Sequence, residues 1–167
     1  MKVYFSHGKE SGPWGTKIRF LADIAEEMGC QVESIDYSAT QDPEERVALL
    51  KETLPADEPE IILVGSSMGG YVSLVAAMEY DVKGVFLLAP AVYMPNYYQQ
   101  DYPVNCAVSC VHGWQDEIIP VENVLRFAKA QSASLHLVPG DHRLNDSLDL
   151  IGPIFKQFLY SFLTDKI

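Results

Sequence analysis

Basic residues are scarce in this chain. Lys and Arg number 12 against 23 Asp and Glu, a formal net charge of −11 with His neutral. A field of that sign repels phosphate backbones and anionic headgroups, so no nucleic-acid or membrane-surface partner is expected. It does not make the substrate cationic, because net charge bears first on solubility. Cysteine is scarce too, at Cys30, Cys106 and Cys110. The count is odd and there is no Cys-x-x-Cys. On a shared strand, Cys106 and Cys110 would stand roughly 13 Å apart, beyond bridging distance. These cysteines make a poor disulfide framework, and apolar core thiols in a reducing, cytoplasmic compartment are expected. No apolar run nears the ~20 residues of a membrane span. The opening MKVYFSHGKESGPWG holds only a short apolar stretch, which does not read as a secretory leader. No His, Cys, Asp and Glu cluster has metal-ligand spacing. The one glycine-rich turn lacks both the Lys-Ser/Thr ending of a phosphate loop and the Gly-x-Gly-x-x-Gly spacing. No metal and no cofactor are expected.

What is present is an ordinary globular composition over 167 residues, 48% hydrophobic and 21% charged, which reads as one domain over 1–167. Strand and helix patterns alternate throughout. Lys2–Ser6 predicts a first strand ending in His7-Gly8. Helical spacing runs from about Trp14 to Met28, and Gln31–Tyr37 alternates as a second strand. Pro43–Leu54 reads as a helix with Asp42 as its N-cap. Ile61–Val64 and Val85–Leu88 are apolar runs of the kind buried on both faces of a sheet, with a helix over Gly69–Tyr80 between them. Ala107–Val111 predicts a fifth strand. Pro120–Gln131 predicts a helix with Val121, Val124, Leu125 and Ala128 inward, and Leu135–Val138 a sixth strand. Ile154, Phe155, Phe158, Leu159 and Phe162 share one helical stripe, which Gly152-Pro153 must start or kink. The expected architecture is a three-layer α/β/α sandwich with about six parallel strands and helices on both faces. In such sheets the chemistry gathers in loops at the carboxyl ends of the strands.

Those loops hold the unusual residues. Gly65-Ser66-Ser67-Met68-Gly69-Gly70 joins a buried strand to a helix and matches Gly-x-Ser-x-Gly centred on Ser67. A nucleophile on a strained strand-to-helix turn needs tiny residues two before and two after it. Centring on Ser66 would put Val64 and Met68 there, and both are too bulky. The bland reading is a small-residue turn opening a helix. Asp116 falls in the loop after the fifth strand and His142 in the loop after the sixth, so the order is Ser, Asp, His. Taken singly, Asp116 could be a helix-terminal charge and His142 a solvated loop histidine. His7, His112 and His136 read as structural.

These segments resemble the signatures of the α/β-hydrolase superfamily: Gly65-Ser66-Ser67-Met68-Gly69, His112-Gly113-x-x-Asp116-x-x-Ile119-Pro120, Gly140-Asp141-His142, and His7-Gly8 as the oxyanion-loop segment. Within the superfamily the chain is most similar to compact YqiA-like bacterial esterases. The resemblance implies a reduced α/β-hydrolase fold lacking the first two of the full fold's eight strands. It also implies a serine hydrolase with Ser67 as nucleophile, His142 as general base and acid, and Asp116 orienting the imidazole. Asp141 is the second choice for the acid and Glu117 the third. The backbone N–H groups of Met68 and Lys9 would form the oxyanion hole.

The segment at about 91–103, rich in tyrosine, would act as a short cap. Tyr93, Met94, Tyr97 and Trp114 are the expected substrate-binding residues. The competing reading of that segment is an Ω-like surface loop packed by its own aromatics. A cap this short points to small or short-acyl esters or thioesters. The alternatives are a non-catalytic binding or regulatory protein on the same scaffold, and a hydrolase of peptide or C–C bonds. Oligomeric state is not legible, nor is whether Lys9, Glu10 and Trp14 touch substrate.

Overall fold

The computed structural model describes residues 1–57 and 60–164. Six strands form one parallel sheet: β1 (Lys2–Ser6), β2 (Gln31–Ile35), β3 (Ile61–Ser66), β4 (Gly84–Leu88), β5 (Ala107–Gly113) and β6 (Ser134–Val138). Their order is β2-β1-β3-β4-β5-β6. The chain runs outward from β1 to β2, then returns to place β3 on the other side of β1. Ser6 of β1 thus pairs with Gly65 of β3, and the loops leaving these neighbours diverge at the sheet's switch point, where such folds open a crevice. The six-stranded parallel sheet and its flanking helices make this a reduced α/β-hydrolase fold.

Five helices cover the sheet: α1 (Thr16–Glu27), α2 (Pro43–Thr53), α3 (Met68–Ala77), α4 (Val121–Gln131) and α5 (Leu148–Leu163). α1 and α5 share one core with Val3, Phe5, Ile62, Val64 and Phe86. α2, α3 and α4 share the other with Tyr4, Leu63, Val85 and Cys110. β3 and β4 are buried along their whole length, which is why their sequences are apolar runs rather than alternating patterns. Asp42 caps α2 as expected, its carboxylate accepting from the N–H groups of Glu44 and Glu45.

Three expectations need correction. Leu125 is 43% exposed and Phe127 points inward in its place, since the apolar face of α4 follows Val124, Phe127 and Ala128. Gly152-Pro153 does not start the last helix. α5 begins at Leu148, after a 3-10 turn over Asn145–Ser147, so the proline lies in the second turn with its side exposed. Of the three thiols, all free, Cys30 and Cys110 are buried but Cys106 is only partly so. Among the described residues no helix is long and apolar enough to cross a membrane.

Candidate active site

Ser67 sits between β3 and α3 with φ 54° and ψ −117°, a conformation that a non-glycine residue holds only under constraint. The constraint is steric and local. A Cβ on Gly69 would lie 1.9 Å from the Ser6 carbonyl oxygen, and one on Gly65 would lie 2.2 Å from the Gly69 carbonyl oxygen. Only glycine at both positions lets the turn close and press against the end of β1. Backbone bonds complete it: Ser67 N–H donates to Leu88 O, and the Ser67 carbonyl accepts from Gly70 and Ala91, each at 2.9 Å.

Asp116 and His142 arrive from the ends of β5 and β6, and their loops are tied together. Trp114 N–H donates to Val138 O, Gln115 N–H to Gly140 O, and Gly140 N–H to the Gln115 side-chain oxygen at 2.8 Å. His142 then bridges the other two residues. Its Nδ1 lies 2.8 Å from Asp116 Oδ2 and its Nε2 lies 2.9 Å from Ser67 Oγ. A carboxylate can only accept, so Nδ1 carries the proton and Nε2 is left to accept from the Ser67 hydroxyl. The other oxygen of Asp116 accepts from the N–H groups of Ile118 and Ile119, both at 2.8 Å. Burial pushes this carboxyl up, but the His142 bond and the two backbone bonds outweigh it and hold it below the ordinary carboxylate range. A buried carboxylate that stays ionised beside the imidazole can stabilise the imidazolium when it forms.

His112 is buried, with Nε2 3.0 Å from Ile119 O and 3.6 Å from Asp116 Oδ2. Its Nδ1 has no hydrogen-bond partner among the described residues. Burial lowers its pKa, so it is a neutral prop beneath the 116–119 turn. His7 is also neutral and buried. Its Nδ1 donates to Gly8 O at 2.8 Å, while its Nε2 accepts from Tyr37 N–H at 2.9 Å.

A cavity of about 1080 Å³ opens over Ser67 and His142. Gly8, Lys9, Lys17 and Ile18 line one side, Met94 and Tyr97 another, and Glu117, Asp141 and Arg143 the loops at the far end. Two of the expected substrate-binding residues, Met94 and Tyr97, line it, and Tyr93 and Trp114 do not. The Tyr93 ring packs on Tyr102 at 5.4 Å and beneath the Arg126 guanidinium at 3.8 Å, while Trp114 is 54% exposed. Lys9 and Glu10 belong to the lining, whereas the Trp14 ring stacks with Arg19. Segment 91–103 is largely self-bonded. Tyr102 OH donates to Gln99 O and accepts from Tyr93 N–H, and the Gln100 amide donates to the carbonyls of Met94 and Tyr97. Asp141, the second choice for the acid, spends one oxygen on the N–H groups of Arg143 and Leu144. Glu117, the third, is exposed.

Arg46 escaped the sequence reading. It lies on α2, 1% exposed, and its guanidinium donates to three successive carbonyls: His7 O at 3.3 Å, Gly8 O at 3.0 Å and Lys9 O at 3.2 Å. Its Nε donates to Thr40 O at 2.8 Å. With the carbonyls of residues 7–9 turned toward α2, the loop's path beside the Ser67 turn is set. The only available sign was an arginine in the position of a buried helix face. Among the described residues no group of His, Cys, Asp and Glu could hold a metal ion.

Comparison with known proteins follows this geometry. The model of an uncharacterised protein family, UPF0227, matches residues 1–102. A crystal structure of a candidate hydrolase of the α/β superfamily from Xanthomonas campestris pv. campestris is similar at a TM-score of 0.90 and 30% identity, covering 96% of this chain and 98% of that one. Est1E from Butyrivibrio proteoclasticus shares the fold at a TM-score of 0.78 and 20% identity, over 98% of this chain and 88% of its own. Linear gramicidin dehydrogenase LgrE from Brevibacillus parabrevis is 33% identical over 69 residues, 40% of this chain. The match spans about a quarter of that relative, 26% of its length.

Proposed function

Because the chain belongs to the uncharacterised protein family UPF0227 and is an α/β-hydrolase, we propose that it is a cofactor-independent serine hydrolase of small or short-acyl carboxylic esters or thioesters. The observation that carries this reading is the hydrogen-bonded row from Ser67 through His142 to Asp116, at 2.9 and 2.8 Å. Ser67 Oγ attacks the substrate carbonyl carbon as His142 Nε2 takes its proton, and the carbonyl π electrons move onto oxygen. The N–H groups of Met68 and Lys9 receive that oxyanion. On collapse the C–O or C–S bond breaks, and the His142 proton goes to the leaving alcohol or thiol. Water, deprotonated by His142, then attacks the acyl-Ser67 ester, and its collapse releases the acid and returns the proton to Ser67. Asp116 keeps the imidazole in the productive tautomer throughout.

The preference for short acyl groups is supported by the modest wall that Met94 and Tyr97 contribute and by the self-bonded character of segment 91–103, the short cap in this reading. Free thiols at Cys30, Cys106 and Cys110 support a reducing, cytoplasmic location. The test is labelling by a fluorophosphonate probe together with turnover of a series of p-nitrophenyl esters. Ser67→Ala is expected to abolish labelling and to lower the rate by ~10³-fold or more. Labelling that persists in Ser67→Ala would refute the assignment of the nucleophile. A folded protein that neither labels nor turns over any chain length would favour a binding role on the same scaffold.

A further inference from the structure

Six residues with ionisable acid or ammonium/guanidinium side chains line the cavity: Lys9, Glu10, Lys17, Glu117, Asp141 and Arg143. Five of them are exposed, so bulk water solvates their charges at the mouth. Lys17 alone is half-buried. It projects from the first turn of α1 into the same space that holds Ser67 and His142. Lys2, Lys51 and Lys156 have carboxylate partners in Glu33, Glu79 and Glu27, while Lys9, Lys83 and Lys129, which have none among the described residues, are exposed. Lys17 has no hydrogen bond or ion pair among the described residues. A half-buried ammonium with no contacting counterion pays a desolvation cost that the more distant carboxylates of Asp141 and Asp116 offset only in part.

None of the carboxylates lining or flanking the cavity contacts the Lys17 ammonium, and Glu10 and Glu117 are exposed to water. Asp116 is bound by His142 and two backbone N–H groups, and Asp141 closes its own turn. Charge therefore accumulates at one point of the inner wall and is left to meet whatever enters. We propose that the substrate carries an anionic group, a carboxylate or a phosphate, that Lys17 receives inside the cavity while Ser67 attacks the ester or thioester carbonyl. This rests on the hydrolase reading above and names the substrate class of that same site. The chain's overall charge of −11 opposes an anion only at long range, where screening over about 8 Å in physiological salt removes most of it. Inside the cavity, contact with a partly desolvated ammonium prevails.

The pairing is also pH-dependent. Burial pushes the Lys17 ammonium down to about 8, helped by Arg143 and resisted by the carboxylates of Asp141 and Asp116. Lys9, Glu10, Tyr97, Glu117 and His142 are the remaining charged or titratable groups that line the cavity. The anion's hold is present when Lys17 is protonated and fades as pH rises through about 8.

The experiment compares matched esters in 0.15 M salt on the full chain. One pair, p-nitrophenyl hexanoate and mono-p-nitrophenyl adipate, puts the carboxylate on the acyl side. A second pair, 3-acetoxybenzoate and its methyl ester, puts it on the alcohol side. In at least one pair the anionic ester should win in kcat/KM by about ten-fold or more, the worth of a charge-assisted contact. Lys17→Met should collapse that ratio, Lys17→Arg should keep it, and in the wild type it should fall between pH 7 and 9. Lys17→Met should also melt a few degrees higher without ligand, because it removes a partly desolvated charge that no contacting carboxylate pairs, so misfolding is not expected to obscure the result. Fluorophosphonate labelling of Ser67 in the same samples separates the two readings. Labelling with no anion preference in either pair, or a preference that Lys17→Met retains, would overturn the Lys17 assignment alone. Absence of labelling would overturn the hydrolase reading beneath it.

Discussion

Strain at Ser67 is held in place by its neighbours rather than by its own side chain. A serine at φ 54° is disfavoured by roughly 1–2 kcal/mol, and what holds it is the close approach of Gly69 to the last peptide of β1. Gly69→Ala would push a methyl carbon to 1.9 Å from the Ser6 carbonyl oxygen and 2.7 Å from that of His7, so backbone must move. The expected outcome is a loss of at least ~3 kcal/mol in urea unfolding, with fluorophosphonate labelling lost in whatever fraction stays folded. Gly-x-Ser-x-Gly was legible for this very reason. The turn dictates which residues fit, and the dictation is local. Asp116 and His142 were legible as residues following strands, but their meeting across 26 positions depends on β5 and β6 lying side by side.

Helix α2 has two outputs from its first turns. Glu44 accepts from the Tyr71 hydroxyl and from Tyr98 N–H, which reaches segment 91–103, while Arg46 grips the carbonyls of residues 7–9. One helix end therefore sets two walls of the cavity relative to each other. Arg46→Lys keeps the charge but replaces a planar fork by a single ammonium, which cannot span three carbonyls. On the proposed oxyanion role of the Lys9 N–H, we expect kcat to fall by about ten-fold or more with KM changed much less, because displacing that donor would weaken the transition state more than the bound ester. Steady-state kinetics with circular dichroism on the variant would check this. An equal rise in KM with kcat unchanged would refute it. Helix α5 is a matter of packing. Phe155 is fully buried, with its ring 4.9 Å from that of Phe86, and Phe155→Ala should cost ~3–5 kcal/mol by chemical denaturation. Its apolar stripe was plain in the sequence, whereas its start at Leu148 was not. Pro153 lies five residues beyond Leu148, the start of α5, and so past the first turn, where proline costs nothing. Local pattern therefore favoured a boundary or kink there, and only the 3-10 turn before Leu148 shows the true start.

Across the molecule, an excess of acid works against compaction. A net charge of −11 on 167 residues is self-repulsive, so raising NaCl from about 20 to about 300 mM should raise Tm by a few degrees in a thermal scan. A Tm that does not respond would mean that the acidic groups lie too far apart, or too near bases, to matter. The alternation of strand and helix, the six-stranded parallel sheet and the Gly-Ser-Gly turn were all written in the sequence. Each follows from local periodicity or from the space around a single turn. Tertiary structure decided the rest: Tyr97 and Met94 facing the cavity while Tyr93 and Trp114 do not, Arg46 reaching across 39 positions to His7, and Lys17 losing water where five other charged side chains keep theirs. Burial and charge pairing depend on which distant segments the fold brings together, and no local pattern records that.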